Sequence, residues 1–322
     1  MTETKRNRSQ NPAAARWAHA LALTTATATL LLIFVGGVVT NTGSGLAVPD
    51  WPTTFGYNMF LYPWSKMVGG IFYEHSHRLI GSVVGLLTVA LAVVLWQADS
   101  RRWVRWLGVA AVAAVIVQGV LGGLRVVLLD QGLAIVHGCL AQSFFALVVA
   151  LTVVTSRWWH ETEGAVIERS LRSFSIVTAA MVYLQILVGA LVTHIGGGWL
   201  HLHLLVGVAV IAHVVLIARR VLAAHAQCGE LRRPVLQLLA LTALQLTLGL
   251  ALFAERMGAT LLSPDTALLL PTTHRITGAL MLGLTVLLSL RLFRLGASRP
   301  AVAAMPAPLP SLGSGRGQRV TA

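Results

Sequence analysis

The residues best able to carry chemistry in this 322-residue chain are four histidines, His77, His137, His203 and His274, and one acid, Glu74. A neutral imidazole ligates a metal through one ring nitrogen while a hydrogen bond fixes the other. A carboxylate beside such a ligand suits proton transfer or charge stabilisation. Glu74 precedes His77 by three residues, which places both on one face of a helix. Arg78 and Arg275 directly follow two of the histidines. Their guanidinium groups suit pairing with the propionates of a bound cofactor or with carboxylates, or snorkelling to a membrane interface. His201 competes with His203. Two residues apart on a helix is a rotation of about 200°, so one site takes only one of them. His19, His160 and His225 read as helix-end or loop residues, and His213 as a core residue.

The elements that must position these residues are membrane helices. Apolar residues make up 56% of the chain, charged residues 11%, and the mean hydropathy is +0.76. Soluble domains carry about 25% charged residues, and disordered chains far fewer apolar ones. Apolar runs near 19–40, 73–96, 106–127, 135–155, 174–194, 200–219, 235–254 and 271–293 are each about long enough to span a bilayer. The expected fold is therefore an all-α integral membrane protein of eight transmembrane helices. The first run follows a basic tail but is long for a signal peptide and lacks a convincing cleavage site, so it is expected to stay as a span.

The net charge of +13 is a topology signal. Nineteen of the 24 basic residues fall in five clusters: the N-terminal tail, Arg101–Arg105, Arg157–Arg172, Arg219–Arg233 and the segment from Arg291 on. With eight spans, all five clusters lie on one side. The positive-inside rule makes that side cytoplasmic, with both termini there. No basic patch is interleaved with aromatics, so nucleic acid is not an expected partner. Cys139 and Cys228 fall at different depths, which predicts no disulfide.

An internal repeat divides the chain. Gly36-Gly-Val-Val-Thr-Asn-Thr-Gly-Ser-Gly45 aligns without a gap on Gly189-Ala-Leu-Val-Thr-His-Ile-Gly-Gly-Gly198. His77-x-x-x-Gly81 matches His203-x-x-x-Gly207, and Q-x-x-x-G recurs at Gln118/Gly122, Gln185/Gly189 and Gln245/Gly249. Small residues one turn apart let helices approach closely. The halves are expected to be two four-helix bundles in a parallel repeat. The expected organisation is a tail at 1–18, a first half at 19–155, a linker at 156–173, a second half at 174–293 and a disordered cytoplasmic tail at 294–322. Each of the four histidines opens an even-numbered span, two per half, at one expected depth. Polar groups at such depth are costly and tend to be functional, and two imidazoles in one bundle suit the axial positions of a haem iron. The repeat alignment selects His203 over His201. Glu74 has no counterpart in the second half, where Leu200 takes its place. A di-haem b-type electron-transfer subunit fits the four histidines equally well.

The chain resembles the haem A synthase family. The likeness rests on Thr42-Gly-Ser-Gly-Leu46 with Pro49-Asp-Trp-Pro52, on Glu74-His-Ser-His-Arg78, on His137-Gly138 with Gln142 and Phe144-Phe145, and on His274-Arg275. The resemblance implies oxidation of a ring methyl group of haem O to the formyl group of haem A, by two successive hydroxylations and loss of water. It implies that His77 and His137 ligate or flank the substrate haem O, that Glu74 assists near the reacting methyl group, and that His203 and His274 ligate a haem B cofactor. It implies a bacterial cell membrane location, with a haem O synthase and terminal-oxidase assembly factors as partners. The outer-loop cysteine pair of some members is absent here, so a mechanism needing that pair does not apply.

Overall fold

The computed structural model describes residues 12–259 and 263–297. Eight long apolar helices account for most of them: α1 (Pro12–Asn41), α2 (Gly70–Ala98), α3 (Arg102–Leu128), α4 (Gln131–Thr155), α6 (Arg169–His194), α7 (Leu200–Ala224), α8 (Gly229–Arg256) and α9 (Pro264–Ala297). The short α5 (Arg157–Glu161) lies in the expected linker. At 25 to 34 residues each, the eight helices exceed the about 20 needed to cross a bilayer. All eight qualify as candidate spans by length and apolarity. The helices run past most of the expected boundaries because hydropathy loses its signal at polar helix ends, where backbone hydrogen bonding continues. The tail expected to be disordered lies, beyond Ala297, outside the described residues.

Helix α1 packs on α2 and α4, α2 on α3, and α3 on α4. In the same way α6 packs on α7 and α9, α7 on α8, and α8 on α9. The two groups meet where α9 touches α1 and α4, and where α4 touches α6. One core gathers Leu91, Leu95, Phe144, Phe145, Val148 and Leu151 from the first group, and two others join Leu171, Ile217, Leu288 and Val210, Leu238, Leu282 in the second. Side chains such as Leu86 and Val208 point outward, as a lipid-facing surface requires. Buried threonines bond back to the carbonyl one turn earlier, as Thr25 does to Leu21 and Thr242 to Leu238, both at 2.7 Å, so no hydroxyl is left unpaired there.

Two polar fastenings cross between the groups. The Asn41 amide donates to the Thr272 hydroxyl (2.7 Å) and to the Leu268 carbonyl (3.3 Å). The Tyr183 hydroxyl bonds Ser143 Oγ (2.9 Å) and the Cys139 carbonyl (3.3 Å).

The loop between α1 and α2 is the most built-up connection among the described residues. It contains a hairpin, β1 (Thr53–Thr54) with β2 (Tyr57–Asn58). The connecting pair, Phe55 and Gly56, has φ values of 49° and 76°, the left-handed conformation that a tight two-residue hairpin turn requires. The Asp50 carboxylate organises this turn, accepting from Thr53 Oγ1 (2.5 Å), the Phe55 N–H (2.7 Å) and the Gly56 N–H (2.9 Å). Partial burial raises its pKa, but the bonds from Gly56, Thr53 and Phe55 outweigh that and hold it below the usual carboxylate range.

A depressed folded-state pKa contributes stability that is present above the unfolded value and lost as pH falls through the folded one. The turn should therefore resist limited proteolysis down to about pH 4 and open only under stronger acid. In Asp50→Ala, cleavage within residues 50–58 should appear already at pH 7; unchanged resistance would show that the carboxylate does not hold the turn.

Candidate functional site

Each of the four histidines is seated by the same local device. Its ring edge lies on a glycine of the preceding long helix, where no Cβ intervenes. A Cβ built on Gly36 would stand 2.9 Å from His77 Cε1. The corresponding distances are 3.0 Å for Gly122 and His137, 3.1 Å for Gly189 and His203, and 3.3 Å for Gly249 and His274. The interlock is reciprocal in three of the four pairs. Four residues after the histidine comes a second glycine, and the side chain four residues before the first glycine packs over it. Gln185 faces Gly207, Gln245 faces Gly278 and Leu32 faces Gly81. The repeated H-x-x-x-G and Q-x-x-x-G motifs are thus the two sides of one contact. Close helix approach, the expected meaning of these glycines, is correct but incomplete, because what approaches is an imidazole.

The glutamines add hydrogen bonds. Gln185 Nε2 lies 3.2 Å from His203 Nε2 and donates to the His203 carbonyl at 3.0 Å. Gln245 Nε2 lies 3.1 Å from His274 Nε2. Gln118 Nε2 donates to the His137 carbonyl (2.8 Å), and the Gln118 carbonyl faces His137 Nδ1 at 3.1 Å. These three residues were not among the expected site residues. Their signal was present as an amide in an apolar run, which is costly unless it has a partner.

The seated rings converge in pairs. His77 and His137 have centroids 6.5 Å apart, and His203 and His274 6.3 Å apart. His201 is exposed on the far side of α7, so the structure places His203, not His201, in the pair. Nδ1 of His77, His203 and His274 is buried without a partner. No group of three or more His, Cys, Asp or Glu residues is placed to hold a metal among the described residues. Two facing imidazoles in each pair would hold a metal-bearing group that brings its remaining ligands with it. Two metal–nitrogen bonds of about 2 Å plus the ring radii give a centroid separation of ~6 Å. The glycine cradles and the unpaired nitrogens both fit such a group.

Glu74 and Arg78 sit elsewhere than a simple site reading expects. Glu74 is buried, accepting the Val48 N–H at 2.9 Å through Oε2 and an Arg78 guanidinium N–H at 2.8 Å through Oε1. Arg78 donates further to the carbonyls of Asp50 (2.7 Å), Val48 (3.0 Å) and Thr53 (3.1 Å). The pair clasps the outer loop over the end of α2. Of the two options open to Arg78, a carboxylate or the interface, it takes the carboxylate of Glu74. His75, buried beside it, bonds the Thr54 hydroxyl at 3.1 Å and packs on Tyr62, so it anchors the loop. Among the described residues the other buried acid, Asp99, lies at the opposite end of α2.

Two further cations stand near the pairs. Gly45 lies directly on the Arg125 guanidinium, leaving no room for a Cβ, and the charge of Arg125 acts on both His77 and His137. Arg275 Nη1 would stand 3.0 Å from a Cβ on Gly37, so it reaches from α9 to α1. Arg125 was missed in the sequence, although it is one of the five cations outside the basic clusters. His213 stacks on Phe174 at 4.7 Å, away from either pair, as a core residue.

Eight apolar helices with imidazole pairs wedged between them define a multi-pass membrane protein. The chain belongs to the COX15-CtaA family of cytochrome oxidase assembly proteins, whose sequence profile matches residues 19–201. It is similar to the Heme A synthase of Shouchella clausii, with 31% identity over 179 residues, 54% of this chain and 58% of that one. The Heme A synthase of Lysinibacillus sphaericus is 34% identical over 176 residues, and that of Alkalihalophilus pseudofirmus 30% over 169. The chain spans little more than half the length of these curated relatives, at 56% to 58%.

The cradles make a graded prediction. Gly36→Ala should cost about 1–3 kcal/mol by overpacking, and Gly249→Ala less, since its new Cβ meets the ring at a longer distance. Thermal unfolding of the two variants in detergent checks the order, and equal losses would contradict the seating of His77.

Proposed function

We propose that this protein is a haem A synthase, an oxidoreductase that converts a ring methyl group of haem O to a formyl group. The observation that carries the reading is the convergence of two glycine-seated imidazole pairs, one in each half, with a buried acid beside one pair only. The similarity to several proteins named Heme A synthase supports it.

In this reading the two halves are a parallel repeat. The first holds the substrate haem O between His77 and His137, and the second holds haem B between His203 and His274. When bound, the haem groups supply one-electron and oxygen chemistry. The chain's own residues do the rest. The imidazoles orient each ring and fix its height between the helices. Arg125, packed against Gly45 of the loop, takes the role of meeting a propionate, since Arg78 is engaged by Glu74 and the loop carbonyls, and Arg275 does the same nearer the second half. The clasped outer loop excludes water from above the first pair. Glu74 assists near the reacting methyl group, its carboxylate oriented by the Val48 N–H and the Arg78 guanidinium.

The nineteen clustered cations support a cytoplasmic side for both termini, in a bacterial cell membrane. A reaction that makes haem O must supply this substrate, and a haem A-requiring terminal oxidase, with its assembly factors, consumes the product.

Extraction and chromatography of the haems in purified protein should yield haem B together with haem O or haem A. Haem B alone would instead point to a membrane electron carrier. Glu74→Ala should retain haem and lose conversion of haem O by about 10²–10⁴-fold; normal haem A output would remove Glu74 from the chemistry. His274→Ala should lose the low-spin haem B spectrum, and an unchanged spectrum would refute its ligand role.

A further inference from the structure

At the first pair, each seating glycine is followed by a second glycine. Gly37 follows Gly36 and Gly123 follows Gly122, whereas Ala190 follows Gly189 and Leu250 follows Gly249 at the second pair. Both extra glycines are in use. Gly37 takes up Thr272 and Arg275 from α9. Gly123 takes up Trp51 from the outer loop, since a Cβ built there would stand 2.7 Å from Trp51 Cε3 and closer still to Cδ2 and Cε2. All three atoms belong to the six-membered ring of the indole, so that ring lies directly on the α3 backbone. Consecutive Cα atoms are about 3.8 Å apart, and the imidazole of His137 and the indole of Trp51 rest on consecutive residues of α3. Arg125, whose charge acts on both rings of the first pair, follows two residues later.

The chain is pinned on both sides of Trp51. Arg78 holds the carbonyls of Asp50 and Thr53, Glu74 holds the Val48 N–H, and the Asp50 carboxylate closes the turn that follows. Trp51 is nonetheless 38% exposed, so its ring is covered by α3 on one side and open elsewhere. A flat aromatic ring clamped through its own backbone and rested on a glycine is a rigid apolar wall. The second pair has no such seat, because the side chain of Leu250 stands where Gly123 leaves room.

Two axial imidazoles set the height of a macrocycle but leave it free to turn about the line that joins them. Oxidation of one ring methyl group and no other requires that turn to be fixed, and only contacts at the rim of the macrocycle fix it. A haem that only carries electrons has no such requirement. We propose that Trp51 is a positioning residue of the first half, whose indole meets the rim of the macrocycle on the His137 side, stops it from turning and so selects the methyl group that reacts. The inference rests on the haem-holding reading above and adds to it the residue that sets regioselectivity. Arg78 then serves the reaction at one remove, by holding the wall in place.

The test uses the full chain purified in detergent. Soret circular dichroism is recorded first, because it reports how a macrocycle is turned against neighbouring aromatic rings, and the haems are then extracted and separated by chromatography. Trp51→Leu keeps an apolar contact on Gly123 and removes the flat wall. It should leave haem B and total haem content unchanged and alter the Soret dichroism. It should also lower the haem A formed from bound haem O about 10²-fold, with products oxidised at other ring methyl groups alongside. Trp51→Phe should restore most of both signals. If Trp51→Leu fails to fold, Trp51→Phe decides by the same readings, with a smaller change in dichroism and a smaller loss of haem A. Unchanged dichroism with an unchanged product overturns the proposal, and so does loss of both haems together, which would make Trp51 a support of the loop and no more. Unaltered protein that holds haem B alone would instead overturn the proposed function, and this inference with it.

Discussion

The structure depends on an imidazole edge pressed against the bare backbone of a neighbouring helix. A histidine inside a bilayer is expensive unless its polar atoms are used. Here the expense is contained by geometry. A glycine on the preceding helix removes the Cβ that would otherwise keep the ring out, and in three of four cases a glutamine one turn away supplies a partner. The helix pairs α1/α2, α3/α4, α6/α7 and α8/α9 are all spaced by this contact. The remainder of the packing, apolar and interchangeable in detail, fits around rings whose positions are set by four glycines.

Much of this was legible in the sequence, because membrane helices announce themselves. Eight apolar runs, the clustering of arginines between them and the histidine at the head of every second run all survive as written patterns. Helical rotation also puts His203 and His201 on different faces, and the ring that meets His274 is that of His203. What was not legible is contact across helices. Q-x-x-x-G and H-x-x-x-G were visible as motifs, yet nothing in one dimension says that the glutamine of one faces the glycine of the other. Arg78 shows the same limit. Adjacency to His77 suggested pairing with a cofactor's carboxylates, whereas the loop returns Val48, Asp50 and Thr53 to its guanidinium. Such a loop has no hydropathy signature, and Arg125, isolated in an apolar run, had no neighbour in sequence to explain it.

The two groups of helices pack in the same order and differ at the rim. The first carries a buried ion pair, Glu74 with Arg78, that holds the hairpin loop in place. At the matching position of the second half stands Leu200, and no carboxylate can accept a loop N–H there. Burying an ion pair is costly and stabilises little by itself, so the acid is better explained by what it does than by what it holds together.

The hydrogen bonds from Asn41 to Thr272 and from Tyr183 to Ser143 join helices of opposite halves inside an apolar interior. Water is not at hand there to replace a broken bond, so sliding the halves apart would strand amides and hydroxyls at each step. The two groups of helices are therefore joined at two depths, at the end of α1 and midway along α4 and α6, and parting them would break polar contacts at both.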